Sequence, residues 1–161
     1  MRREKLDQID RRILDDLQSD GRMTNVELAS RAGISAPPCL RRVRALEESG
    51  YIRGYHADID PSLMGFGVTV FAFVGLTSQA ETDLVRFEEC VAEWPLVREC
   101  FMLQGETDFL LKVVAEDLAS YNRFLTNELT AAPNVAHVRS AITIRHSKQA
   151  FGVPIDTSPD T

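Results

Sequence analysis

The sequence predicts an α+β protein of two domains: an N-terminal winged helix-turn-helix, then a C-terminal ferredoxin-like β-α-β-β-α-β domain. Three observations point to it. Residues 7–50 carry apolar positions at helical spacing, interrupted by turn signals at Ser19-Asp20-Gly21 and Gly33. Asp60-Pro61-Ser62 and Gly65-Phe66-Gly67 then mark a boundary. Beyond it, β-branched and aromatic runs alternate with helical ones in the order of a split βαβ sheet.

Each element has a local reason. Ile9, Ile13, Leu14 and Leu17 form the apolar stripe of a first helix, with Asp7 or Asp10 as its cap. Thr24 caps a second helix, and Glu27 three residues later completes a capping box. Gly33 ends that helix, because glycine enters the left-handed conformation at little cost. Ser35 caps a third helix, which holds Pro37 and Pro38 in its first turn and closes at Gly50. Residues 51–57 alternate weakly, as a short strand or wing does. Strands follow at Val68–Leu76, Val97–Leu103, Phe109–Ala115 and Val135–Ile144. Helices are expected at Glu81–Trp94 and from the Asp117 cap through Leu129. The expected domains are residues 1–60 and 61–150, with a mobile tail over 151–161.

Composition bounds the function. The chain of 161 residues is 44% hydrophobic and 26% charged, as in globular proteins. No apolar run reaches the roughly 18 residues of a membrane helix. The charged N-terminus is no secretory signal. Cys39, Cys90 and Cys100 are odd in number and widely spaced, which fits free thiols in a cytoplasmic setting. His56, His137 and His146 lack metal-ligand spacing, and neither a glycine-rich phosphate loop nor a nucleophile elbow occurs. No catalytic residue, metal site or cofactor is therefore expected. The net charge of −6 is unevenly placed: residues 1–60 hold 11 Lys+Arg and 11 Asp+Glu, so all the excess acidity lies beyond them. A neutral first domain can still carry a local basic face for nucleic acid.

The third helix carries that face. At about 100° per residue, Ala36, Cys39, Leu40, Val43 and Leu46 should pack onto the first two helices. Pro38, Arg41, Arg42 and Ala45 should point the other way, with Arg44 on the flank. Arginine suits a DNA surface because its planar fork matches guanine edges and its charge pairs with phosphate. Ser35 and the helix N-terminus offer an anion site. Ser35, Pro38, Arg41, Arg42 and Arg44 are thus the candidate DNA contacts. Arg2, Arg3, Lys5, Arg22, Arg31 and Arg53 could add phosphate contacts. In the second domain, Gly105-Glu106-Thr107-Asp108 joins two central strands. By residue type it is either a hairpin turn chosen for conformation or a close approach for a ligand.

Together these residues resemble the Lrp/AsnC family of leucine- and asparagine-responsive regulators. IDRRILDDLQSDGRMTNVELASRAGIS resembles the family's opening helices, PPCLRRVRALEESGYIRGY its recognition helix and wing, and ECFMLQGETDFLLKV the strand–turn–strand of its effector domain. The resemblance implies a sequence-specific, double-stranded-DNA-binding transcriptional regulator whose C-terminal (RAM) domain responds to an amino acid or related metabolite. It implies homodimers paired through their sheets, assembling further into tetramers or octamers. Met102, Leu103, Gly105 and Asp108 become candidate effector contacts. Pro133-Asn134-Val135 carries Asn where the family has Gly, and Val138 stands where Thr is frequent. The alternatives sharing this plan are a nucleoid-type architectural protein, a stand-alone amino-acid-binding module and a sirohaem decarboxylase-like enzyme. The last uses basic and His residues in a second domain that is acidic here.

Overall fold

The computed structural model describes residues 6–158. The chain divides into two compact units, Met1–Asp58 with Lys148–Thr161, and Ile59–Ser147.

The first unit is built on three helices: α1 (Gln8–Ser19), α2 (Asn25–Ala32) and α3 (Ala36–Glu48). Asp7 caps α1 in a capping box with Asp10, and Thr24 caps α2 in one with Glu27. Gly33 ends α2 at φ 70°, the left-handed geometry expected of it. The helices bury Ile13, Leu17, Leu28, Ala29, Ala32, Cys39 and Leu46 in one cluster. The expected wing is not a strand: residues 51–60 form neither strand nor helix. Two contacts hold the start of this segment instead. The Ile52 N–H donates to the Leu46 carbonyl at 3.1 Å, and the Tyr55 hydroxyl to Glu47 Oε1 at 3.0 Å.

The segment after Ser147 joins this first unit. Gln18 grips its backbone from both sides, Nε2 donating to the Val153 carbonyl at 3.0 Å and Oε1 accepting the Val153 N–H at 3.1 Å. An amide side chain carries donor N–H groups and an acceptor oxygen side by side, so it can pair with a peptide as a neighbouring strand would.

The second unit runs β1 (Val68–Leu76), α4 (Glu81–Ala92), β2 (Val97–Met102), β3 (Phe109–Ala115), α5 (Leu118–Phe124) and β4 (Val135–Ile142). Leu125–Leu129 continues α5 as one π-helical turn. The sheet order is β2-β3-β1-β4, every pair antiparallel, which is the ferredoxin-like arrangement. Alternate residues of β1 and β3 face the helices. Val70, Ala72, Val74, Phe109, Leu111 and Val113 pack there with Phe87, Val91, Tyr121, Phe124 and Leu129. On the opposite face Phe71, Phe73, Leu110 and Val114 are half-buried, and Phe101 is 47% exposed. Arg139 lies over the Phe73 ring there, 4.7 Å from its centroid. Asn134 takes φ 66°, the left-handed conformation that Asn tolerates better than most residues. Its Nδ2 also donates to Asp83 Oδ1 at 2.6 Å, a bond that glycine could not make.

Candidate functional site

The third helix places its arginines differently from one another. Arg41 and Arg44 are exposed, as expected of a surface that reads or grips DNA. Arg42 does not share their direction. It lies three residues after Cys39 and four before Leu46, both buried, so it stands beside the packed face. Its Nη1 meets Asp7 Oδ2 and Asp10 Oδ1, each at 2.7 Å. This corrects the expected outward orientation of Arg42. Leu40 is corrected in the other sense: it is 39% exposed, on the opposite flank of the buried stripe.

The Asp7, Asp10 and Arg42 groups form one network. The Asp10 N–H donates to Asp7 Oδ1 at 2.8 Å and the Asp7 N–H to Asp10 Oδ2 at 3.3 Å. Burial pushes the Asp7 carboxyl up, but the Asp10 N–H and the Arg42 guanidinium outweigh it and bring its pKa below the ordinary 3.8. The hydrogen bond to Asp10 heads the causes that raise the Arg42 guanidinium above its usual value. Burial raises the pKa of the Cys39 thiol, with Arg42 opposing, so this cysteine is an inert core residue.

Ser35 is the N-cap of α3 by backbone geometry, with φ −80° and ψ 158°, yet its side chain makes no capping bond. The cause is covalent. A cap hydroxyl accepts from the N–H two or three residues on, and here those residues are Pro37 and Pro38, which have none. The expected anion site at this terminus is correspondingly thin, since Ala36 alone among the first three helical residues keeps an N–H. Pro38 is half-buried. Arg31 pairs with Asp16 at 3.0 Å, while Arg2, Arg3 and Lys5 lie outside the described residues.

In the second unit Asp108 is buried, with 8% exposure. Its backbone N–H donates to the Val74 carbonyl at 3.0 Å, and its carbonyl accepts the Leu103 N–H at 2.7 Å. Its carboxylate accepts the Leu76 N–H at 2.7 Å through Oδ2 and the Gln79 amide at 2.8 Å through Oδ1. Asp108 therefore ties β1, the strand–turn–strand and the loop before α4 together. Beside it opens a cavity of about 360 Å³. Leu84, Met102 and Leu103 give it apolar walls, and Gln79, Gln104, Gly105 and Asp108 give it polar ones. All four candidate effector residues thus meet at one cavity. Gln79 and Leu84 were missed in the sequence: they sit before and on α4, remote from the turn, and no local motif marks them.

Among the described residues, no group of three or more His, Cys, Asp or Glu is placed to hold a metal, and no helix is long and apolar enough to cross a membrane.

Two family models match the chain, a winged helix-turn-helix DNA-binding model over residues 6–53 and an Lrp/AsnC ligand-binding-domain model over residues 69–153. A leucine-responsive regulatory protein of Rhizobium meliloti is 56% identical over 153 residues, covering 95% of this chain and 98% of the relative. The Bkd operon transcriptional regulator of Pseudomonas aeruginosa is 45% identical, covering 88% and 92%. Among solved structures, a transcriptional regulator of Neisseria meningitidis in complex with L-Met superposes with a TM-score of 0.89 at 35% identity, covering 93% of this chain and 97% of that one. An AsnC family regulator of Agrobacterium tumefaciens gives 0.87 at 36% identity, covering 92% and 97%.

Proposed function

The chain belongs to the Lrp/AsnC family of transcriptional regulators, and on that premise we propose that it reads specific DNA sites through α3 and senses an apolar amino acid in the cavity beside Asp108. The observation that carries the sensing half is the lining of that cavity. Three apolar side chains suit an aliphatic or thioether side chain, while the amides of Gln79 and Gln104 suit the charged head of an amino acid. The L-Met held by the Neisseria relative supports this class of ligand. Asp108 already accepts the Leu76 N–H and the Gln79 amide, so we assign it to holding the cavity wall.

For the DNA half, Arg41 is the base-reading candidate. Arg44 and Ser35 grip phosphate, and Pro38 shapes the start of the contact surface. The open face of the sheet, with Phe71, Phe73, Leu110 and Phe101, supports pairing of two copies, and such dimers can assemble further. A dimer would present two α3 helices to successive major grooves of a near-palindromic site, about one helical turn apart. The amino acid would act by binding one assembly state better than another. This activity belongs in the cytoplasm, where the DNA is.

Two experiments test the reading. Calorimetry with the twenty amino acids should find binding confined to apolar ones, and no binding by any of them would sink the sensing half. A genome-wide pull-down of bound fragments should return sharp sites near amino-acid metabolic genes. Broad coverage without sharp sites would favour the nucleoid-type alternative.

A further inference from the structure

We propose that Arg42 is a positioning residue for α3 rather than a DNA contact, its guanidinium held between Asp7 and Asp10 so that α3 lies at one defined angle to α1. The inference rests on the reading of α3 as the DNA helix.

Three observations carry it. Apolar packing among Ile13, Leu17, Cys39 and Leu46 holds the helices together but is weakly directional, whereas a charge-assisted guanidinium–carboxylate contact is directional. The start of α3 lacks the side-chain cap that fixes the starts of α1 and α2, because Pro37 and Pro38 leave Ser35 nothing to accept. What does hold the start is Asn25, whose Nδ2 donates to the Ala36 carbonyl at 2.8 Å. Arg42 is the second fixed point, six residues on and about 9 Å along the axis. Two points define the direction of a helix, and that direction decides where Arg41 and Arg44 stand.

The charge balance points the same way. Two carboxylates at 2.7 Å more than neutralise the guanidinium. A DNA phosphate that displaced them would leave uncovered carboxylates facing it, a repulsive arrangement.

The test uses the full-length protein and two labelled duplexes, one a fragment recovered by genomic pull-down and the other a scramble of it. The parent, Arg41→Ala, Arg42→Ala, Arg44→Ala and Asp10→Asn are titrated at several salt concentrations, with thermal melting to show that each is folded. Arg42→Ala is expected to weaken binding to the recovered fragment roughly tenfold. Its preference over the scramble should fall while its salt slope stays that of the parent, since no phosphate contact is lost. Asp10→Asn should weaken binding as well, although it removes a negative charge beside the DNA surface; Asp10 as a mere repulsive neighbour would give tighter binding instead. Tighter binding by Asp10→Asn, or a slope lower by about 1 for Arg42→Ala as for Arg44→Ala, overturns the proposal. Parent-like binding by both Arg41→Ala and Arg44→Ala overturns the reading of α3 itself, and the proposal with it.

Discussion

The carboxylate of Asp108 accepts the backbone N–H of Leu76 at 2.7 Å, across 32 residues of sequence and inside the unit. A buried N–H that loses a charged acceptor keeps its desolvation cost without compensation. Asp108→Ala should therefore destabilise the second unit by about 2 kcal/mol. Urea denaturation followed by Trp94 fluorescence checks this, because Trp94 packs against Phe87 and Phe124 in that core. Amino-acid binding should fall with it, as the cavity wall loosens. An unchanged midpoint would show that Asp108 is not the tie its contacts describe.

Arg41 and Arg44 should fail in different ways. Arg41→Ala is expected to cost about 1–3 kcal/mol and relax preference at one base position. Arg44→Ala should weaken binding to all sequences alike and lower the salt slope by about 1. Competition titrations with single-base variants of one bound site separate the two, and identical behaviour would remove the distinction between reading and gripping.

The open face of the sheet should be where two copies meet. Phe101→Arg places a charge on it beside Leu110, its partner across the ladder. Sedimentation is expected to show the parent as a dimer or larger assembly and the variant as a smaller species. A variant that sediments like the parent would place the interface elsewhere.

Gln18 should decide how firmly the C-terminal segment is held. Its two bonds to Val153 contribute about 1 kcal/mol each at most in a partly exposed setting. Gln18→Ala should therefore speed tryptic cleavage after Lys148 several-fold with little change in overall melting. Equal cleavage rates in parent and variant would mean that the segment does not depend on this contact.

Acid should loosen the first unit before strong acid unfolds the rest. In Asp7, burial raises the carboxyl pKa, but the Asp10 N–H and Arg42 bring it below 3.8; in Glu27, the Thr24 N–H and hydroxyl bring it below 4.5. A carboxyl whose folded value is lowered adds stability at pH above its unfolded value. That stability is lost as pH falls through the folded value. The loss should thus begin near pH 4.5 and continue downward, visible as helical circular dichroism. Asp7→Asn should flatten part of this profile while keeping the cap; an unaltered profile would remove Asp7 from the account.

Much of the fold was legible in the sequence because its signals are local. The cap at Asp7, the capping box at Thr24, the stop at Gly33 and the strand at Phe109–Ala115 all stand where residue type and spacing put them, and the box that Asp10 completes with Asp7 is added by the structure. Helix ends were less legible: α4 stops at Ala92 rather than Trp94, and the last strand ends at Ile142 rather than Ile144. The expected short strand over residues 51–57 does not form, because weak alternation says nothing about whether a partner strand exists. The effector candidates Met102, Leu103, Gly105 and Asp108 converge on a cavity, yet Gln79 and Leu84 complete it from a part of the chain no motif marks.

Legible in the residues alone are the two-domain plan, the order of helices and strands, and a helix-turn-helix whose third helix carries three arginines in the neutral part of an acidic chain. These follow from periodicity, capping and charge, which act over a few residues. Which arginines of α3 face outward depends on helix packing, because Asp7 and Asp10 reach Arg42 from 32 to 35 residues away. The same holds for the placement of the C-terminal segment, where Gln18 and Val153 meet across 135 residues. Such contacts depend on how the elements pack, and neither partner's own neighbourhood in sequence announces them.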